Sequence, residues 1–433
     1  VSFVFFPSQA KQTSNNQSII MSNNQTKQIA IIGGLFFIFG FISWLNSILI
    51  PYLKIACELK DWEAYLVTFA FYISYTLLAI PSSWILKRTG FNGGMQWGLY
   101  IMAIGSLLFI PAAYTRTYGI FLFGLFIQGA GLTLLQTASN PYITILGPIE
   151  SASKRISIMG ICNKVAGVIA PLVLGAVVLK NTDSITEQLK TLALPEKAAM
   201  LDTLALRVVT PYLIITAVLA GLGFMIKYSN LPDIKEPEDE VGSVGKQSVF
   251  QYPYLVLGFV AIFCSVSLEV ITGDTIVNYA VSQGVILSKA TFFPSIVLFL
   301  MGLGYIIGVI VIPRYIKQER LFFYASVAGA IVLTGVLATD GLTSLILFAL
   351  LGLFHAILWP AIWPLALKGL GKHTKIGSSI LIMGILGGAV MPPLYGALTG
   401  AMGTKWAYLL LFPCYLFNAF YASKGHLIGQ KGH

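Results

Sequence analysis

Residues Leu134 to Pro148 read LLQTASNPYITILGP. They close a long apolar run, yet Gln136, Thr137, Ser139, Asn140 and Thr144 lie among them. Hydrocarbon offers no hydrogen-bond partners, so polar groups at this density must face protein, water or a ligand. A second intrusion follows in the next apolar run, where GICNKVAG, Gly160 to Gly167, sets Asn163 beside Lys164. Two neighbouring helices lining a polar cavity inside a membrane account for both. Period-two alternation is missing from these runs, so helices are expected rather than a barrel, and the fold class is an all-α membrane protein.

The bulk composition agrees. Hydrophobic residues make up 56% of the chain and charged ones 10%, against about 25% charged in an ordinary soluble domain. The net charge of +10 does not form an aromatic-interleaved basic patch. Its Lys and Arg residues stand in pairs at the ends of apolar runs, a topology signal rather than a nucleic-acid footprint. The four cysteines, Cys57, Cys162, Cys264 and Cys414, show no metal-ligand spacing and no disulfide framework, so they read as packing residues. No cofactor is expected.

Twelve apolar runs follow in order: 29–53, 64–86, 93–113, 118–146, 156–179, 208–226, 253–281, 290–313, 320–338, 342–366, 376–401 and 405–423. Each is long enough to span a bilayer as a helix. Residues 180–207 read as a small helical excursion, and 227–251, with LPDIKEPEDEVGSVGKQ, as a cytoplasmic linker. The expected organisation is a tail at 1–28, a six-helix bundle at 29–226, the linker at 227–251, a second bundle at 252–423 and a tail at 424–433. Met21 opens a polar MSNNQTKQ that suits a natural start, and the preceding residues are assigned no role. Lys87, Arg88, Lys154, Arg155, Arg314, Lys317, Arg320, Lys368, Lys372 and Lys375 fall in loops on one side; Lys54, Lys60, Arg116, Lys289 and Lys405 fall on the other. The richer side belongs in the cytoplasm, which puts both termini there.

The two sets of six runs also resemble each other. IMGI occurs at Ile158–Ile161 and again at Ile382–Ile385, followed by APLVLGA from Ala170 and MPPLYGA from Met391. Basic pairs precede both, and a similar offset lays the first run on the seventh. A parallel repeat of six spans points to a two-bundle transporter with a central site.

Longer stretches carry a resemblance to a known family. FGFISWLNSILIPYL from Phe39, GLFIQGAGLTLLQTASNPYITILGP from Gly124 and NKVAGVIAPLVLGA from Asn163 resemble the fucose–proton symporter family of the major facilitator superfamily, with its glucose/galactose transporter branch nearest. EVITGDTIVNY from Glu269, WPAIWPLALKGLGKHTKIGSS from Trp359 and MGILGGAVMPPLYG from Met383 extend it through the second half. The resemblance implies twelve helices, a sugar substrate and alternating access in a bacterial inner membrane. It also implies that Asn163 matches a sugar-contacting Asn. Two positions depart from the fucose symporter: Ser47 stands where that motif carries Asp, and Gln136 where it carries Glu. The proton-handling acids of that carrier are therefore missing, and Lys164 replaces a small polar residue.

A sugar hydroxyl both donates and accepts, which suits side-chain amides. Asn46, Gln136, Asn140, Asn163 and Asn278 are the candidates, although Asn and Gln also bridge membrane helices. Apolar sugar faces suit flat rings, and Trp44 and Trp359 are the principal candidates, with Trp363 and Tyr395 beside them. Ionisable groups inside spans are costly and read as functional. Lys164, Glu269, Asp274 and His355 qualify for coupling or gating. Lys164 and Glu269 lie in opposite halves and are expected to approach across the cavity. Asp274, on another face of the same run, is expected to cap a broken segment near Gly273 or to sit at the cavity mouth. His355 titrates near neutrality when exposed, but a lone helical His is commonly a packing residue.

The expected function is hexose transport by alternating access, with cation-coupled uptake driven by H+ or Na+. Glu269 is the candidate to carry the charge change. Uniport, and carriage of fucose, an amino sugar or an anionic sugar derivative, stay open. A membrane enzyme would need a nucleophile, a metal set or paired carboxylates at one depth, and no such pattern stands in the sequence. Expected partners are the sugar and the lipid bilayer, with no nucleic acid and a monomeric chain.

Overall fold

The computed structural model describes residues 28–146, 152–229, 252–312, 314–370 and 374–430. The expected N-terminal tail, nearly all of the linker and the Gly147–Pro148 end of the opening motif lie outside the described residues. Among the described residues all regular structure is helical.

Ten helices are long and apolar enough to cross a membrane. The difference from twelve apolar runs has two physical causes. The second and third runs lie in one helical stretch, Asp61–Thr115. That stretch breaks at Gly90, whose φ of 69° and ψ of 176° only glycine adopts without strain. The last run folds as a 3-10 turn at Trp406–Leu411 followed by a 12-residue helix, Phe412–Ser423. The eleventh run is also divided, into Thr374–Met383 and Leu386–Met402, at Gly384 and Ile385. The expected excursion at 180–207 forms two helices, Thr182–Leu189 and Leu194–Leu206.

Spans are numbered below by the runs that form them. The fourth, Tyr118–Ile145, packs on the third with almost no side-chain spacer. Gly98 lies against the Gly131 carbonyl and Leu135, and Gly105 against the backbone of Gly124 and Gln128. Such small-residue seams let backbones approach where lipid supplies no hydrophobic drive. Gln128, buried at this seam, donates to the Ser106 hydroxyl at 2.6 Å and so loses no hydrogen bond to burial.

One end of the molecule gathers the connection after the first span, the excursion, and the connections after the seventh, ninth and eleventh spans. This is the distal end. Lys197 pairs with Glu58 at 2.7 Å, Arg116 with Asp202 at 3.2 Å, and Lys405 with Asp340 at 2.7 Å. Tyr52 anchors the excursion by donating to the Leu204 and Ala205 carbonyls at 2.9 and 2.8 Å. Residues before 229 and after 252 also meet here. The Ser288 amide donates to Asp183 at 3.4 Å, and the Ser295 hydroxyl to the Val168 carbonyl at 2.7 Å.

Candidate functional site

The seventh span, Pro253–Ser282, organises the site. Proline at its first turn costs no hydrogen bond, because that amide would be unpaired anyway. From there the helix runs 30 residues without a break. This overturns the expectation that Asp274 caps a broken segment or sits at a mouth: Asp274 is 0% exposed within a continuous helix. The reason is that Gly273 does not interrupt the helix; it makes room for a ring. A Cβ there would collide with the Trp44 indole of the first span.

Four spans converge on one cation. Lys164 Nζ of the fifth span, Ala152–Val178, lies 2.6 Å from Glu269 Oε1 of the seventh. It also stands 4.8 Å from the Trp44 ring centre and 5.7 Å from that of Tyr305 in the eighth span, Phe293–Val311. The lysine stem is buried among apolar neighbours while its charge meets a carboxylate and two π faces. Side-chain exposure is 8% for Lys164 and 16% for Glu269, so the pair is shielded but reached by space on the acid's side.

The amide candidates divide into two groups. Gln136 and Asn163 are half-buried, and Gln136 Nε2 donates to the Tyr75 hydroxyl of the second span at 3.3 Å. Asn140 is exposed one turn further along the fourth span. Asn163 is placed by close backbone packing: a Cβ on Gly40 of the first span would strike its carbonyl. Trp359 is half-buried, with its ring centre 5.7 Å from that of Trp363.

The second group lies at helix contacts, Asn46 buried and Asn278 half-buried. Asn46 follows the interruption of the first helix at Leu45, is 1% exposed, and has neither amide atom hydrogen-bonded. Asn278 donates to the Tyr65 hydroxyl at 3.0 Å, joining the seventh span to the start of the second. Tyr65 also meets Tyr395 of the eleventh span edge to face, with centroids 5.6 Å apart. Tyr395 is fully buried and stacked on Tyr408, so it belongs to these contacts and not to a cavity wall. His355 lies away from both groups, in the tenth span, with Nε2 2.5 Å from the Tyr415 hydroxyl of the twelfth.

Sequence reasoning missed the tyrosines. Tyr65, Tyr72 and Tyr75 line one face of the second span, and Tyr72 and Tyr75 stack with centroids 6.2 Å apart. Their spacing, with Thr68 between, is that of a single helical face, the signal available in the sequence. Tyr305 carries no such pattern. Among the described residues no group of three His, Cys, Asp or Glu side chains is placed to hold a metal ion.

The chain matches known proteins over most of its length. The pattern of the Major Facilitator Superfamily covers residues 32–382. A glucose/galactose transporter of Brucella abortus is 36% identical over 400 residues, spanning 92% of each chain. The L-fucose-proton symporter of Escherichia coli is 31% identical over 385 residues, spanning 86% of this chain and 87% of the other. Among solved structures, the transporter FucP in its outward conformation superposes with a TM-score of 0.71 at 27% identity, covering 92% of this chain and 98% of that one.

Proposed function

Since this chain belongs to the Major Facilitator Superfamily, we propose that it carries a hexose of the glucose or galactose class across a bacterial inner membrane by alternating access. The observation that carries the reading is the Lys164–Glu269 pair, which joins the fifth span to the seventh next to half-buried Asn163. Relatives named as glucose/galactose transporters support the substrate class, and one named as a proton symporter supports cation-coupled uptake.

In this reading the chain has twelve spans in two bundles of six, with Gly90 dividing the second from the third and Trp406–Ser423 forming the twelfth. Both termini lie in the cytoplasm, so the distal end faces outward. The seal formed by Trp44, Tyr65, Asn278 and Tyr395 is then the outer gate in its closed position. Gln136, Asn140, Asn163 and Trp359 face the cavity that receives the sugar, with amides for hydroxyls and an indole for the apolar sugar face. The protein works as a monomer and leaves its substrate chemically unchanged. An anionic sugar derivative is disfavoured, because Glu269 already satisfies the charge of Lys164.

Counterflow in proteoliposomes tests this. Labelled glucose, galactose, fucose, N-acetylglucosamine and an acidic sugar are presented in turn, and accumulation is repeated under a proton gradient, a sodium gradient and neither. Exchange of glucose or galactose is expected. Exchange confined to fucose or to the acidic sugar overturns the substrate assignment.

A further inference from the structure

Asp274 is the one candidate acid that the Lys164–Glu269 pair does not explain. It is 0% exposed, and neither carboxyl oxygen has a hydrogen-bond partner. Its place on the helix is fixed by the neighbours one turn away on either side. Val266 and Val270 pack on Gly388 of the eleventh span together with Tyr72, and Asn278 donates to Tyr65. Asp274 falls on that same strip, at i+4 from Val270 and i−4 from Asn278. It therefore faces the closed seam between the seventh span and the second.

We propose that Asp274 takes up and carries the coupling proton, while Lys164 and Glu269 act as a tie between the halves. The proposal rests on the hexose-transport reading above and names its coupling group. An ionised carboxylate sealed away from water, counter-ions and donors is strongly disfavoured, whereas the neutral acid is tolerated. Glu269 is the weaker candidate: a proton on it would leave Lys164 a buried cation without its partner.

The surroundings of Asp274 fit that role. The second span presents Tyr65, which accepts from Asn278 one turn along, and Tyr72, which meets Gly388 together with Val266 and Val270. The first span presents the Trp44 ring at Gly273, and the eleventh presents Gly388. Glu269, five residues back on the same helix, is the other carboxylate of this span and is held by Lys164. When the outer gate parts, the Asn278–Tyr65 bond and the Trp44–Gly273 contact break, and the strip meets outside water. A hydronium ion there forms an O–H bond to Asp274 and leaves water behind. Closure requires the neutral acid. After the switch that proton is lost to the inner side, and the carboxylate left in the closed seam is not tolerated there, so the outer gate reopens. One proton crosses with each hexose.

The test uses the full-length protein in proteoliposomes. For Asp274→Asn, hexose counterflow is expected to stay within about twofold of the parent, while accumulation driven by a proton gradient falls at least about tenfold. Hexose-triggered proton uptake, read with a pH dye, disappears. A hydrophobic carbodiimide, which attacks protonated carboxyls, is expected to label Asp274 of the unaltered protein and to spare Glu269, with labelling falling as pH rises. Asp274→Asn that still accumulates hexose on a proton gradient overturns the proposal. So does accumulation by the unaltered protein that follows sodium alone. If Asp274→Asn does not fold, the labelling decides: no adduct on Asp274 overturns the proposal. An unaltered protein that exchanges no hexose instead removes the transport reading itself, before any variant is compared.

Discussion

Lys164 of the fifth span holds Glu269 of the seventh at 2.6 Å, between parts of the chain more than a hundred residues apart. Both side chains are shielded, so each depends on the other for its charge to be tolerated. Removing one partner of such a pair costs about 3–5 kcal/mol, because the survivor is an unpaired buried charge. Lys164→Met and Glu269→Gln are each expected to lower thermal stability and to reduce counterflow at least about tenfold. Lys164→Met combined with Glu269→Gln is expected to regain the stability but not the transport. Recovery of both in the double variant shows the pair to be a permanent bridge with no part in the cycle.

Gln136 makes a weaker demand on the fold. It is half-buried, and its hydrogen bond to Tyr75, at 3.3 Å, is long. If it binds a sugar hydroxyl, Gln136→Ala loses a neutral hydrogen bond worth about 0.5–1.5 kcal/mol, so KM rises about 2- to 13-fold. Melting temperature is expected to stay close to that of the parent. A lowered melting temperature with KM unchanged instead identifies Gln136 as a bridge between the second and fourth spans.

Much of this was legible in the residues alone, for reasons that differ from place to place. The apolar runs emerge as helices because hydrocarbon leaves the backbone no other way to satisfy itself. Lys164 and Glu269 stand out because charges inside apolar runs are rare and costly. The fate of Asp274 was not legible. Glycine before a carboxylate reads as a helix break, and only the Trp44 ring from a distant span reveals why Gly273 is glycine. The Asn278–Tyr65 bond was hidden for the same reason, since it joins residues 213 positions apart. Tyr65, Tyr72 and Tyr75 escaped because the chain holds 20 tyrosines, and their common face becomes informative only once the opposing helix is known.

Cys57 lies just past the first span at the distal end, and burial pushes its thiol up to about 11. Arg116 pulls the other way but loses to desolvation. Thiolate is the reactive form, so near neutral pH the residue is expected to alkylate slowly. Its rate is expected to climb about tenfold per pH unit below that value, as the thiolate fraction does. Mass-resolved maleimide labelling between pH 7 and 9 measures this. Labelling at pH 7 as fast as that of a free cysteine peptide contradicts the burial of this thiol.

Gly273 and Trp44 form the tightest contact across the outer seal, and it gives the gate a direct test. Trp44 is 4% exposed and also crowds Gly167 of its own half, so the indole has no free side to move toward. Gly273→Val places a three-carbon isopropyl group where the ring lies. Packed interfaces respond to such overfilling by adopting their alternative arrangement rather than by yielding continuously. The first and seventh spans are then expected to stay apart at the distal end, with the protein folded but held outward-open. Counterflow is expected to fall at least about tenfold, because alternation needs both gates to close. Trp44→Ala added to Gly273→Val vacates the ring's volume, and part of the transport is expected to return even though truncating a buried Trp costs about 3–5 kcal/mol. Gly273→Val that transports at the parent rate, or a double variant no better than Gly273→Val alone, shows that the Trp44–Gly273 contact does not close the gate.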